Sequence, residues 1–131
     1  MHTGDITQAR TLELLARLEA PLVGVYGNND QGERPGLDAA ARRLGVRLEE
    51  APLALVWAER RLLVVHDPRD LEAASPGAYD VALHGHTHRL ALERRAGGLV
   101  FNPGECAGHM TGRNAVGVVD LARIDAELLY F

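Results

Sequence analysis

A chain of 131 residues suits one domain with a core of modest size and leaves little room for a second. Its formal charge of −4 and pI near 5.8 lack the basic excess of a protein held on nucleic acid by phosphate contacts, so stable nucleic-acid binding is not expected, although a local phosphate site stays open. Its single cysteine, Cys106, excludes an internal disulfide and fits a reducing compartment; with no signal-like opening and no apolar run of membrane-spanning length, a cytoplasmic protein away from membranes is expected.

The spacing predicts a helix over residues 7–18, with Leu12, Leu15 and Leu18 on one face and Thr7 as its cap, ending before Pro21. Residues 22–26 read as a buried strand. A second helix is expected over 36–44, with Gly45 where a chain leaving a helix often needs a positive φ. Strands follow at 53–57 and 62–65, joined through the turn Glu59-Arg60-Arg61, and a short helix covers 71–74 before Ser75-Pro76-Gly77 breaks it. The remaining segments, 81–83, 90–94, 99–101, 115–120 and 124–131, read as strands. Helix and strand alternate in the first half and strands dominate the second, which predicts an α/β fold with more than one sheet layer.

Polar residues gather where these strands end. The most informative stretch is Asp80-Val81-Ala82-Leu83-His84-Gly85-His86-Thr87-His88, an apolar run followed by two imidazoles two residues apart. In extended backbone such positions share a side, so His86 and His88 are expected to aim at one point and to serve as ligands for a transition metal. Gly4-Asp5, Gly27-Asn28-Asn29-Asp30 and His66-Asp67 also lie near the chain start or just past apolar runs. In α/β sheets ligands collect outside the carboxyl ends of the strands. Each residue has an ordinary alternative: Asp5 as a helix cap, Asn28 as a turn former, His66 as a buried hydrogen-bonded ring.

Taken in order, Gly4-Asp5, Gly27-Asn28-Asn29-Asp30, the His66 strand end, Gly85-His86-Thr87-His88 and Asn102-Pro103-Gly104 resemble the motifs of the calcineurin-like metallophosphoesterases, most closely the small bacterial and archaeal phosphodiesterase branch. The resemblance covers nearly the whole chain. It implies a four-layer α/β/β/α sandwich with two divalent transition-metal ions, manganese, iron, nickel or zinc, at the strand ends. Asp5 then corresponds to the carboxylate bridging both ions, Asn28, His66 and His86 complete the shell of one, and His88 binds the other. The implied reaction is hydrolysis of a phosphate ester, a phosphodiester in this branch, by cation-activated water without a protein nucleophile. Cys106, with His109 nearby, is therefore not expected to act as one.

Two departures from the family pattern stand out. Family members begin with a strand carrying an Asp-x-His motif that supplies further ligands to the His88 metal; the single domain spanning 1–131 is expected to lack that strand and the following helix, about thirty residues by usual element lengths. The position after Asn28, a histidine in many relatives, is Asn29, an amide that can position neighbours but cannot act as an acid near neutral pH. Arg113 is a candidate for holding the substrate phosphate, and His84, Asp30 and Asp67 are expected as hydrogen-bond partners around the site. The alternative is a catalytically impaired member acting as a partner-binding or regulatory module, as in a retromer subunit of the same fold. An exposed sheet edge leaves homo-oligomerisation open.

Overall fold

The computed structural model describes residues 1–75, 77–95 and 98–131. In chain order its elements are α1 (Ala9–Leu15), β1 (Val23–Val25), a 3-10 helix (Asn28–Glu33), α2 (Arg34–Leu44), β2 (Arg47–Glu49), β3 (Leu53–Trp57), β4 (Arg60–Val64), a second 3-10 helix (Pro68–Ala73), β5 (Val81–Leu83), β6 (Leu90–Arg95), β7 (Gly98–Pro103), β8 (Ala115–Asp120) and β9 (Asp125–Tyr130).

Strands β4, β5 and β7 carry apolar residues on both faces, as expected of strands covered on two sides, and they run parallel at the centre of a sheet ordered β3-β4-β5-β7-β6. Antiparallel β3 and β6 close its edges. Alternation sends Leu62, Val64, Val81, Leu83, Leu99 and Phe101 inward, where they meet Val25 of β1 and, from β8 and β9, Val119, Ala126 and Leu128. Two sheet surfaces thus face each other across one apolar layer. Residues of the opposite register, Leu63, Val65, Ala82 and Val100, point outward and are covered by Leu71 of the second 3-10 helix and by Tyr79.

The β1–β2 pair is parallel, and its outer side packs on the helices through Leu12, Leu37, Ala40, Ala41, Tyr26 and Leu48. Fully burying a leucine contributes about 1.5–3 kcal/mol. That outweighs anything a seven-residue helix such as α1 gains from intrinsic propensity, so Leu12 at 0 % exposure is what holds it. The architecture is a mixed α/β sandwich of two sheet layers flanked by helical segments. Its fourth layer is a 3-10 helix rather than an α-helix: Pro68 opens a segment of only six residues, whose first turn the Asp67 carboxylate caps at the Arg69 amide. Among the described residues no helix is long and apolar enough to cross a membrane.

The structure differs from the sequence reading at several elements. The first helix starts at Ala9; Thr7 is not its cap but donates its amide to Asp30 with φ at 61°, and Leu18 is 62 % exposed. A strand absent from the reading, β2, forms because Arg47, Leu48 and Glu49 pair with β1. The β3–β4 connection is the two-residue turn Ala58-Glu59, both at positive φ as a tight hairpin requires, so Arg60 and Arg61 belong to the strand. The second helix extends back to Arg34 and ends at Gly45 in the left-handed region, φ 67°, as anticipated. Of the expected break at residues 75–77, Pro76 lies outside the described residues.

Candidate metal centre

The carboxyl ends of three strands, β1 of one sheet and β4 and β5 of another, deliver most of the candidate site. β1 runs on through Tyr26 and Gly27 to Asn28, β4 through Val65 to His66, and β5 through His84 and Gly85 to His86. Asp5 arrives on the amino-terminal segment, which lies along β1: His2 donates its amide to the Val23 carbonyl at 2.9 Å, and the Val25 amide donates to the His2 carbonyl at 3.0 Å.

Four side chains close around one point. His66 Nε2 stands 2.8 Å from Asn28 Oδ1 and 3.5 Å from Asp5 Oδ1. His86 Nδ1 stands 3.0 Å from Asn28 Oδ1 and 3.2 Å from His66 Nε2. Ligands of a cation at about 2.1 Å are separated by about 3.0 Å in an octahedron and about 3.4 Å in a tetrahedron, so the observed edges match a coordination polyhedron. Among the described residues no three His, Cys, Asp or Glu side chains suffice to hold a metal by themselves; the Asn28 amide oxygen links the set.

The surroundings of the two rings fit that reading. His66 Nδ1 lies 2.8 Å from the Thr3 carbonyl, which accepts only from a protonated nitrogen. In the neutral ring Nε2 then carries a lone pair facing the amide oxygen of Asn28, two acceptors with no proton between them. His86 Nε2 lies 3.8 Å from the Asp67 carboxylate, and a proton held there would put the lone pair on Nδ1. A cation placed among these acceptors converts mutual repulsion into coordination. Arg69 holds the Asp67 carboxyl well below the usual range through its guanidinium and amide, so the group facing His86 is ionised. His66 is buried at 6 % exposure, whereas His86 and Asn28 are exposed, which gives the cluster a floor and an open mouth.

Close backbone approach assembles the cluster. A Cβ at Gly27 would lie 2.2 Å from Asp5 Oδ1, and one at Gly4 would lie 2.5 Å from His66 Nδ1, so neither position has room for a side chain. Asp30, fully buried, binds the two loops together by accepting the Thr7 amide at 2.7 Å and the Gly27 amide at 2.8 Å. Asn29 grips Asp5 twice, its backbone amide donating to Oδ1 at 2.9 Å and its side-chain amide to Oδ2 at 2.8 Å. Asp5, Thr7, His86 and His88 all have φ between 57 and 62°, a strained conformation for residues with a Cβ that persists only where surrounding contacts enforce it.

That geometry corrects the expectation for His86 and His88. Their backbone is left-handed rather than extended, so the two-residue alternation does not apply, and His88 does not join the four-membered cluster among the described contacts. Its Nδ1 instead faces Glu105 Oε1 at 3.6 Å. Arg113 also stands apart: its guanidinium is exposed and makes no hydrogen bond or ion pair among the described residues, while its backbone is tied to the Thr111 hydroxyl by bonds of 3.2 and 3.3 Å.

Asn102 has a larger structural part than the sequence revealed. Buried at 1 % exposure, it donates to the Gly85 carbonyl at 3.0 Å and to Thr87 Oγ1 at 3.2 Å, and accepts the Gly104 amide at 2.9 Å. It thereby fastens the histidine loop to the end of β7. The only sequence signal was the Asn-Pro-Gly turn. Asn102→Ala is expected to lower stability by about 1–3 kcal/mol, the cost of stranding such buried partners, as read from urea unfolding. His84, 4 % exposed, is a buried ring whose pKa desolvation lowers, with Nδ1 3.1 Å from the Gly85 carbonyl. Cys106 is exposed and outside the cluster, so Cys106→Ser is expected to leave phosphoester turnover within about twofold of the parent; complete loss would point to a thiol mechanism.

A two-sheet α/β sandwich with oxygen and imidazole donors at its strand ends is the architecture of a metal-dependent phosphoesterase. The calcineurin-like phosphoesterase superfamily domain matches residues 1–123, and the chain belongs to that family. It is 32% identical over 124 residues to Phosphodiesterase MJ0936 of Methanocaldococcus jannaschii, covering 92% of this chain and 74% of that protein. A structurally characterised archaeal phosphodiesterase is similar with a TM-score of 0.89 at 29% identity, over 99% of this chain and 81% of that one. Vacuolar protein sorting 29 of Cryptosporidium parvum, 18% identical with a TM-score of 0.60 over 98% of this chain and 78% of that one, shares the fold. The chain is a hydrolase of this superfamily.

Proposed function

We propose that the chain hydrolyses phosphodiesters at a centre of two divalent transition-metal ions, in the cytoplasm. One observation carries the reading: Asp5, Asn28, His66 and His86 present converging lone pairs at coordination spacing, with proton acceptors behind both rings. These four residues hold one ion. Asp5 and His88 contribute to the other, whose remaining ligands the family draws from an Asp-x-His strand. The ions supply Lewis acidity toward phosphoryl oxygens and make water a nucleophile near neutral pH.

The protein's own part is positioning. Asn29 fixes both oxygens of Asp5. Because Asn29 cannot protonate a leaving oxygen, esters whose leaving group departs unprotonated are favoured. The archaeal relatives that carry the name phosphodiesterase support the diester over the monoester.

The test is an assay of bis(p-nitrophenyl) phosphate against p-nitrophenyl phosphate with manganese, using this chain and a version extended upstream by an Asp-x-His strand. Diester turnover exceeding monoester turnover, greatest in the extended form, is expected; equal or preferred monoester turnover overturns the substrate assignment. Absence of turnover in both forms would overturn the reading and leave an impaired scaffold that binds a partner as the alternative.

A further inference from the structure

Glu105 is the least expected charged group near the site. Its side chain is 2 % exposed, and a carboxylate so enclosed is tolerated only when its oxygens are satisfied. The loop that follows meets this need. The Met110 amide donates to Oε1 at 2.8 Å and to Oε2 at 3.0 Å; the Thr111 amide and hydroxyl donate to Oε2 at 2.9 and 3.0 Å. The backbone is pinned as well, since the Glu105 carbonyl accepts the Ala115 amide at the start of β8 at 2.8 Å. Glu105 is therefore an ionised, acceptor-only group in a fixed place.

Oε2 is fully engaged by three donors, while Oε1 takes one and faces His88 Nδ1 at 3.6 Å. At that distance the attraction is mainly electrostatic, yet it distinguishes the two neutral tautomers: a proton on Nδ1 meets a negative charge, whereas a lone pair there would repel it. The same device recurs across the site. His66 has the Thr3 carbonyl behind Nδ1, and His86 has Asp67 behind Nε2. Each ring thus has an acceptor behind one nitrogen, and in His66 and His86 the other nitrogen turns to Asn28, the arrangement that orients imidazoles as metal ligands.

We infer that Glu105 is a positioning residue for His88: its buried carboxylate keeps the ring proton on Nδ1 and leaves Nε2 as the free ligand nitrogen. The role of that nitrogen rests on the metal-centre reading of the proposed function; the tautomer does not.

The experiment is Glu105→Gln in the full chain. An amide oxygen still accepts from Thr111, while the amide nitrogen presents a donor to His88, so the variant reverses the cue to the ring with little change in shape. Long-range 1H–15N imidazole spectra of metal-free protein at pH 8, where an ordinary histidine is neutral, read the tautomer directly. The parent is expected to show His88 protonated at Nδ1, and the variant to show it shifted toward Nε2, with manganese affinity reduced about 10–100-fold. Parent protein with His88 protonated at Nε2 overturns the inference even if the variant does not fold, as does an unchanged tautomer in a folded variant. Thr111→Val, which removes one donor to Glu105 and leaves the pair itself, is the loop control; a tautomer shift there equal to that of Glu105→Gln also overturns it. A tautomer shift with unchanged manganese affinity supports the Glu105–His88 coupling and removes His88 from the proposed ligands.

Discussion

Replacing His86 with alanine is expected to strip most bound divalent metal and to lower kcat/KM for an activated phosphodiester by more than about 100-fold, beyond the loss usual for an outer hydrogen-bond partner. Its Nδ1 is one of the converging lone pairs, and no other described side chain stands ready to replace it. The fold should survive, because the ring is 38 % exposed and substitutions at such positions usually change stability by no more than about 0.5 kcal/mol. Metal-free parent and variant are therefore expected to unfold at similar urea concentrations while differing in metal content by elemental mass spectrometry. Unchanged metal content would remove His86 from the ligand set.

Gly27→Ala is expected to have the second-largest effect, for a reason of space alone. At φ −107° the backbone accepts any residue, so no conformational penalty enters. The added methyl would stand 2.2 Å from Asp5 Oδ1, 2.4 Å from the Asp5 amide nitrogen and 2.8 Å from His66 Cε1. Two of the proposed ligands must move, and the grip of Asn29 on Asp5 must loosen with them. Overpacking of this kind costs about 1–3 kcal/mol in stability. The effect on metal affinity is expected to exceed it, because Asp5 is displaced directly; isothermal titration with manganese beside urea unfolding reads both. Parent-like affinity would show that the loops separate without cost to the site.

Much of the fold was legible because its strands announce themselves. Residues 81–83 and 115–120 form strands at the expected bounds, since each is a β-branched or apolar run between clear breaks. What escaped depended on partners distant in sequence. β2 is a strand only because β1 lies beside it, and its Arg47 and Glu49 carry no apolar signal. Thr7 looked like a cap, but Asp30, 23 positions away, holds it in the left-handed region. At the site, the gathering of Asn28, His66 and His86 was readable from their places at strand ends, a topological property that survives errors in element bounds; Asp5 reaches them from the amino-terminal segment. The orientation of His88 was not readable, because its ring faces the Glu105 carboxylate across a loop. Nor was the fastening of the histidine loop by Asn102, whose neighbours in sequence suggested only a turn.

The central claim is that Asp5, Asn28, His66 and His86 hold a divalent cation on which hydrolysis depends. Its most direct test is to measure metal per chain and bis(p-nitrophenyl) phosphate turnover on one sample, before chelation, after it, and after manganese is restored. At least one ion per chain is predicted, with turnover abolished by chelation and recovered on restoration. Turnover that persists in the metal-stripped protein would contradict the account.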